Sequence, residues 1–216
     1  MREQVAEAAR ICARMGLVDA FGHVSSRRPE GGFVISSTRP MLSAEPAEMI
    51  EVDDGGTPTA GDANLMPLET PLHAAVYEAR EDVGAICRTH SPHAAAWGAR
   101  EEVPPLADGL AGLSGTIALH RPIGLVTSMA AGEAAADDLG SDSCLLIRAN
   151  GMVCTGSDLR EALVRAWYLE QRSAAASLVP DCSVEPKEWE DRSTHYPVEA
   201  ERAWNWIAKK FGEGAL

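Results

Sequence analysis

Two kinds of punctuation interleave along this chain, and together they restrict it to a mixed α/β fold. Glycine-rich turns close short β-like runs, and hydroxyl–proline pairs open helices. Ala20-Phe21-Gly22-His23-Val24-Ser25-Ser26-Arg27 leads through Gly31-Gly32 into Phe33-Val34-Ile35-Ser36, which reads as a hairpin. Met49 to Val52 reads as a further strand, closed by Asp53-Asp54-Gly55-Gly56. Cys144 to Arg148 and Met152 to Thr155 read as another strand pair, with Asn150-Gly151 as the turn between them.

The helix signals fall between these runs. Thr70-Pro71 places Thr at an N-cap and Pro at the first helical position, followed by Leu72, Ala75, Val76 and Ala79 on one face. Val83 to Thr89 reads as a strand, and Ser91-Pro92 then opens a helix through Trp97. His90 therefore sits at a strand end just before a helix N-terminus, where backbone N–H groups favour anions. Val5, Ala8, Ala9, Cys12 and Met15 recur at helical spacing before Gly16. Glu133 to Leu139 predicts a short helix ending at Gly140, Asp158 with Glu161 opens one to about Ala176, and a last one covers Val198 to Lys210. Val103 to Gly124, rich in Gly, Pro and small residues, yields no assignment. Few clean βαβ repeats remain, so the expected architecture is a layered α/β sandwich on a largely antiparallel sheet, one domain over residues 1–216.

Charge and cysteine usage narrow the function classes. Nineteen basic and 32 acidic residues leave a formal charge of −13, which argues against a nucleic-acid partner. A few arginines can still make a local site for a small anionic substrate. The five cysteines (Cys12, Cys87, Cys144, Cys154, Cys182) are scattered without a CxxC pair, a pattern of buried thiols in a reducing compartment. There is no signal-peptide core and no apolar run near the ~20 residues a membrane helix needs. The expectation is a cytoplasmic protein with no membrane partner.

Four stretches in register carry a resemblance. Phe21 to Arg27 matches a Gly-Asn/His-x-Ser-x-Arg segment, and Phe33-Val34-Ile35-Ser36-Ser37-Thr38 the strand and loop after it. Glu69-Thr70-Pro71-Leu72-His73-Ala74-Ala75-Val76-Tyr77 with Arg80 to Ile86 matches a Glu…His…Tyr…Arg-Pro-Asp-Val run. Leu145 to Gly151 with Thr155-Gly156 matches Leu-x-Asn-His-Gly…Gly. In these features the chain resembles the class II aldolase/adducin family over residues 1 to about 176. The resemblance implies a three-layer α/β/α sandwich, a homotetramer with sites between neighbours, and a lyase acting through an enolate or enediolate. It also implies a divalent metal, usually zinc, held by a His-x-His pair and a third His before the final Gly.

The metal set is incomplete here. The His-x-His position reads Arg88-Thr89-His90, and the third position reads Asn150, a weak oxygen ligand. Strand periodicity points Arg88 to the same face as His90, and a protonated guanidinium cannot ligate a metal. Glu69 matches the family's proton-shuttling carboxylate. Gly22, His23, Ser37, Thr38 and Arg39 match the region that binds the substrate's far end. Arg39 replaces a usual Gly, and Pro67-Leu68 replace a usual Ser pair, which disfavours a sugar phosphate. Tyr196 lies in the tail, residues 180–216, from which relatives often lend a tyrosine to a neighbouring subunit. His73 and His93 read as structural.

Two functions follow. In one, the chain is a lyase on a small hydroxy or keto acid, by retro-aldol cleavage or decarboxylation, with Glu69 moving the proton and Arg88 with His90 stabilising the oxyanion, with or without a weakly held divalent metal. In the other, Arg88 pairs with Glu69 in a site without turnover, and the chain is an adducin-like binding module.

Overall fold

The computed structural model describes residues 1–179, 186–214 and 216; Cys182 lies outside the described residues. Helix α1 (Arg2–Arg14) buries Val5, Ala8, Ala9 and Cys12 and ends before Gly16, whose φ of 74° reverses the chain. Strands β1 (His23–Arg27), β2 (Phe33–Ile35), β3 (Ile50–Val52) and β4 (Pro58–Ala60) follow as an antiparallel meander. Next come α2 (Thr70–Ala79), β5 (Ala85–Thr89), α3 (Pro92–Ala99), β6 (Ile117–His120), α4 (Met129–Leu139), β7 (Cys144–Ile147), β8 (Met152–Gly156) and α5 (Leu159–Leu178). The tail forms α6 (Pro186–Ser193) and α7 (Tyr196–Phe211).

The eight strands make one sheet in the order β4-β3-β2-β1-β5-β8-β7-β6, and every pairing except β6 with β7 is antiparallel. Alternation along the central strands sends side chains to two cores. On one face Val24, Ala85, Cys87, Cys154 and Leu146 meet α1, α5 and the Trp204 and Ile207 side chains of α7. On the other, Ile86, Phe33, Ile35, Leu145 and Val153 meet Leu72, Ala75 and Val76 of α2 and Leu139 of α4. Helices thus cover both faces, giving the expected three-layer α/β/α sandwich. Helix α7 packs on α1 and α5 of its own chain. No helix among the described residues is long and apolar enough to cross a membrane.

Several local expectations shift. Glu69, not Thr70, takes the N-cap position of α2; Thr70 lies inside the helix and its hydroxyl donates to Pro67 O at 2.7 Å. In the β7–β8 turn the residues with positive φ are Ala149 and Gly151, not Asn150, so the connection is longer than a two-residue Asn-Gly hairpin. Glu161 bonds Ser157 N instead of closing a reciprocal box with Asp158. The unassigned middle contains β6, an edge strand formed by parallel pairing to β7.

Candidate active site

The β1/β5 register builds the site. His23 lies directly opposite Arg88, and Ser25 opposite Ile86, so His23, Ser25 and Arg88 share the face covered by α2. Helix α2 sets Glu69, His73 and Tyr77 at four-residue spacing above them. The chain reaches this point through Gly22, where a Cβ would lie 2.4 Å from Val18 Cγ1 and 3.0 Å from Arg88 O. Gly151 allows the β7–β8 turn to close on β5, since a Cβ there would come within 2.1 Å of Thr89 O.

Glu69 is 5% exposed and is held at three points. Its Oε2 lies 3.1 Å from Arg88 Nη2 and 3.7 Å from His23 Nε2, and its Oε1 accepts from Val126 N at 3.1 Å. Burial alone would raise the carboxyl, but His23, Arg88 and the Val126 N–H outweigh it and hold its pKa at about 2. The carboxylate is therefore ionised at neutral pH. Arg88 is wholly buried; its Nη1 donates to Thr89 O at 2.7 Å and its Nη2 lies 3.3 Å from His90 Nε2. A guanidinium only donates, so a bond to it requires the lone pair of His90 Nε2. Burial and then the Arg88 charge lower the His90 pKa and keep the ring neutral. Asn150 Oδ1, an acceptor, is 3.1 Å from the same nitrogen, and a bond to it requires Nε2–H instead.

A cavity of about 310 Å³ opens in front of these groups. Gly22, His23, Thr38, Arg39, Glu69 and His90 line it, together with the apolar Phe21, Pro67, Leu68 and Leu125. Ser37 is buried, with its Oγ 3.3 Å from Arg39 N, and does not line the cavity. Arg88 and Asn150 do not line it either; Arg88 stands behind Glu69 and His90, not at the surface a ligand would touch. Tyr196 is not brought here by its own chain. It sits at the start of α7 against Gly112, in a separate cavity of about 580 Å³.

The donor set does not fit a divalent metal. The Glu69 oxygen and the His90 Nε2 that could serve as ligands both lie against a fixed cation, the Arg88 guanidinium. Among the described residues no group of three or more His, Cys, Asp or Glu side chains could hold a metal ion.

A model of the class II aldolase and adducin N-terminal domain matches residues 3–176. The chain belongs to that family. Within it, the chain is 30% identical over 186 residues to a 3,4-dihydroxyphthalate decarboxylase of Terrabacter sp. (strain DBF63), covering 76% of this chain and 75% of the relative. Its fold superposes on an aldolase II superfamily protein from Pseudomonas syringae with a TM-score of 0.83 and 22% identity, over 97% of this chain and 91% of that one. An L-fuculose 1-phosphate aldolase from Glaciozyma antarctica PI12 matches with a TM-score of 0.81 and 18% identity, over 96% and 88% of the two chains. Members of this class II aldolase family are lyases, both aldolases and decarboxylases, and are commonly metal-dependent.

Sequence reasoning missed Ser25, His73 and Tyr77, which join His23 in one buried polar row. The signal was present: Glu69, His73 and Tyr77 share a helix face, and His23 and Ser25 share a strand face.

Proposed function

We propose that this protein is a carbon–carbon lyase that decarboxylates a small hydroxylated aromatic carboxylic acid. One observation carries the reading: a buried, ionised carboxylate, Glu69, shares a cavity with Arg39 and with apolar walls from Phe21, Leu68 and Leu125. Its volume lies at the small end of the range of about 300–1,000 Å³ typical of small-molecule sites. The name of the Terrabacter relative supports the same substrate class.

In this reading Arg39 binds a substrate carboxylate through charge-assisted hydrogen bonds, and the apolar walls hold the ring. Glu69 accepts the proton of the hydroxyl beside the scissile carboxylate and delivers it to the ring carbon that bears that carboxylate. The resulting keto tautomer loses CO2 as the carbon–carbon bond breaks, and its electron pair passes to the oxygen as a phenolate. Hydrogen bonding at His23 stabilises that oxygen, which then takes a proton from water, so one proton is consumed per CO2 released. Arg88 acts from behind, keeping Glu69 ionised and aimed.

The test is CO2 release by the purified protein from a panel of hydroxylated benzoates and phthalates. Expected is stoichiometric CO2 and phenol from the acids whose hydroxyl neighbours the lost carboxylate. A folded protein that releases none from any of them contradicts the reading.

A further inference from the structure

A row of hydrogen-bonded polar groups runs from the cavity into the interior. Tyr77 OH lies 2.7 Å from Ser25 Oγ, Ser25 Oγ 2.6 Å from His73 Nδ1, and His73 Nε2 2.7 Å from His23 Nδ1. Beyond it, His23 Nε2 faces Glu69 Oε2 at 3.7 Å, wider than a hydrogen bond. Ser25 and His73 are fully buried, and His23 and Tyr77 nearly so. The four residues of the row, His23, Ser25, His73 and Tyr77, face one another because a strand repeat of two meets a helix repeat of four where α2 covers β1.

Counting protons fixes the direction of the row. Burial lowers the pKa of both imidazoles, so each carries one proton, as do the serine and the tyrosine hydroxyls. Four protons serve three links, and only two combinations of ring tautomers satisfy all three at once. In one, every donor points toward the cavity and His23 presents Nε2–H to Glu69. In the other, both rings carry their proton at Nδ1 and His23 presents a lone pair to an ionised carboxylate. The second sets negative against negative in a dry site, where such repulsion is strong.

We propose that Ser25 and His73 are positioning residues that hold His23 as the Nε2–H tautomer, giving the cavity a neutral hydrogen-bond donor beside the Glu69 carboxylate. The 3.7 Å gap leaves that N–H free to turn to a substrate oxygen as it becomes negative. The role in turnover rests on the proposed decarboxylation, whereas the tautomer is a property of the substrate-free protein.

Long-range proton–nitrogen correlation spectra of the ¹⁵N-histidine-labelled protein at neutral pH read the tautomers directly. The expected result is a single neutral form for each ring, with His23 and His73 both protonated at Nε2. Protonation of His23 at Nδ1, a tautomer mixture or an imidazolium overturns the proposal. Ser25→Ala removes the donor to His73 Nδ1 and is expected to lower kcat on the order of tenfold at unchanged KM; an unchanged kcat overturns the positioning role of Ser25. Tyr77→Phe leaves Ser25 its own proton, so both tautomers stay as in the wild type; a changed His73 tautomer overturns the assignment of Ser25 as donor. Should Ser25→Ala fail to fold, the wild-type and Tyr77→Phe spectra decide. The expected tautomers in a protein without decarboxylase activity would overturn the proposed function and leave the tautomer assignment standing.

Discussion

Replacing Glu69 with Gln is expected to lower kcat by about 10²–10⁴, the usual contribution of a positioned general base. The substitution keeps the shape of the side chain and its contact with Val126 N but removes the only carboxylate among the cavity-lining residues. KM should change little, because Arg39 and the apolar walls still hold the substrate, and a loss confined to kcat marks an interaction made in the transition state. Steady-state kinetics on protein shown to be folded by its thermal transition checks the prediction. Retention of turnover contradicts it. A binding module would instead have no turnover to lose and would keep its ligand, which separates the two functional readings.

The second large effect concerns Arg88. Its guanidinium is wholly buried and supplies Glu69, the Thr89 carbonyl and His90 at once. Arg88→Met removes the cation and leaves the carboxylate uncompensated in the same dry site, a change that typically costs about 3–5 kcal/mol. Lysine restores the charge but not the planar fork that reaches three partners, so Arg88→Lys should fall between Met and the wild type. Urea denaturation of the three proteins measures this directly. A Met variant within about 1 kcal/mol of the wild type contradicts a pair of this weight. The Met variant should also lose activity, since Glu69 loses one of the three contacts that hold it in place.

Much of the scaffold was legible in the sequence because it is locally encoded. The α1 stripe with its Gly16 stop, the β1–β2 hairpin and the Ser91-Pro92 start of α3 are written in neighbouring residues. Strand β6 was not legible, since an edge strand held by a long-range parallel partner leaves no alternation of its own. The Asn150-Gly151 pair looks like a tight turn, yet Asn150 is engaged by His90 and the left-handed residues are Ala149 and Gly151. At the site, strand periodicity placed Arg88 and His90 on one side, but only coordinates distinguish a cation facing the ligand from one standing behind its neighbours. His73 read as structural for the reason that most buried histidines are. Its place between His23 and Ser25 depends on the register of α2 over β1, which no single segment encodes.

The departure from the family's metal pattern gives the account its central claim: the site carries its cation covalently, as Arg88, where relatives commonly use a metal. Decarboxylation assays run with and without a strong chelator, on protein whose metal content has been measured, test it most directly. The account predicts CO2 release by protein holding far less than one metal ion per chain, at a rate the chelator does not change. One tightly held zinc per chain, with activity lost on its removal and restored on its return, would contradict it.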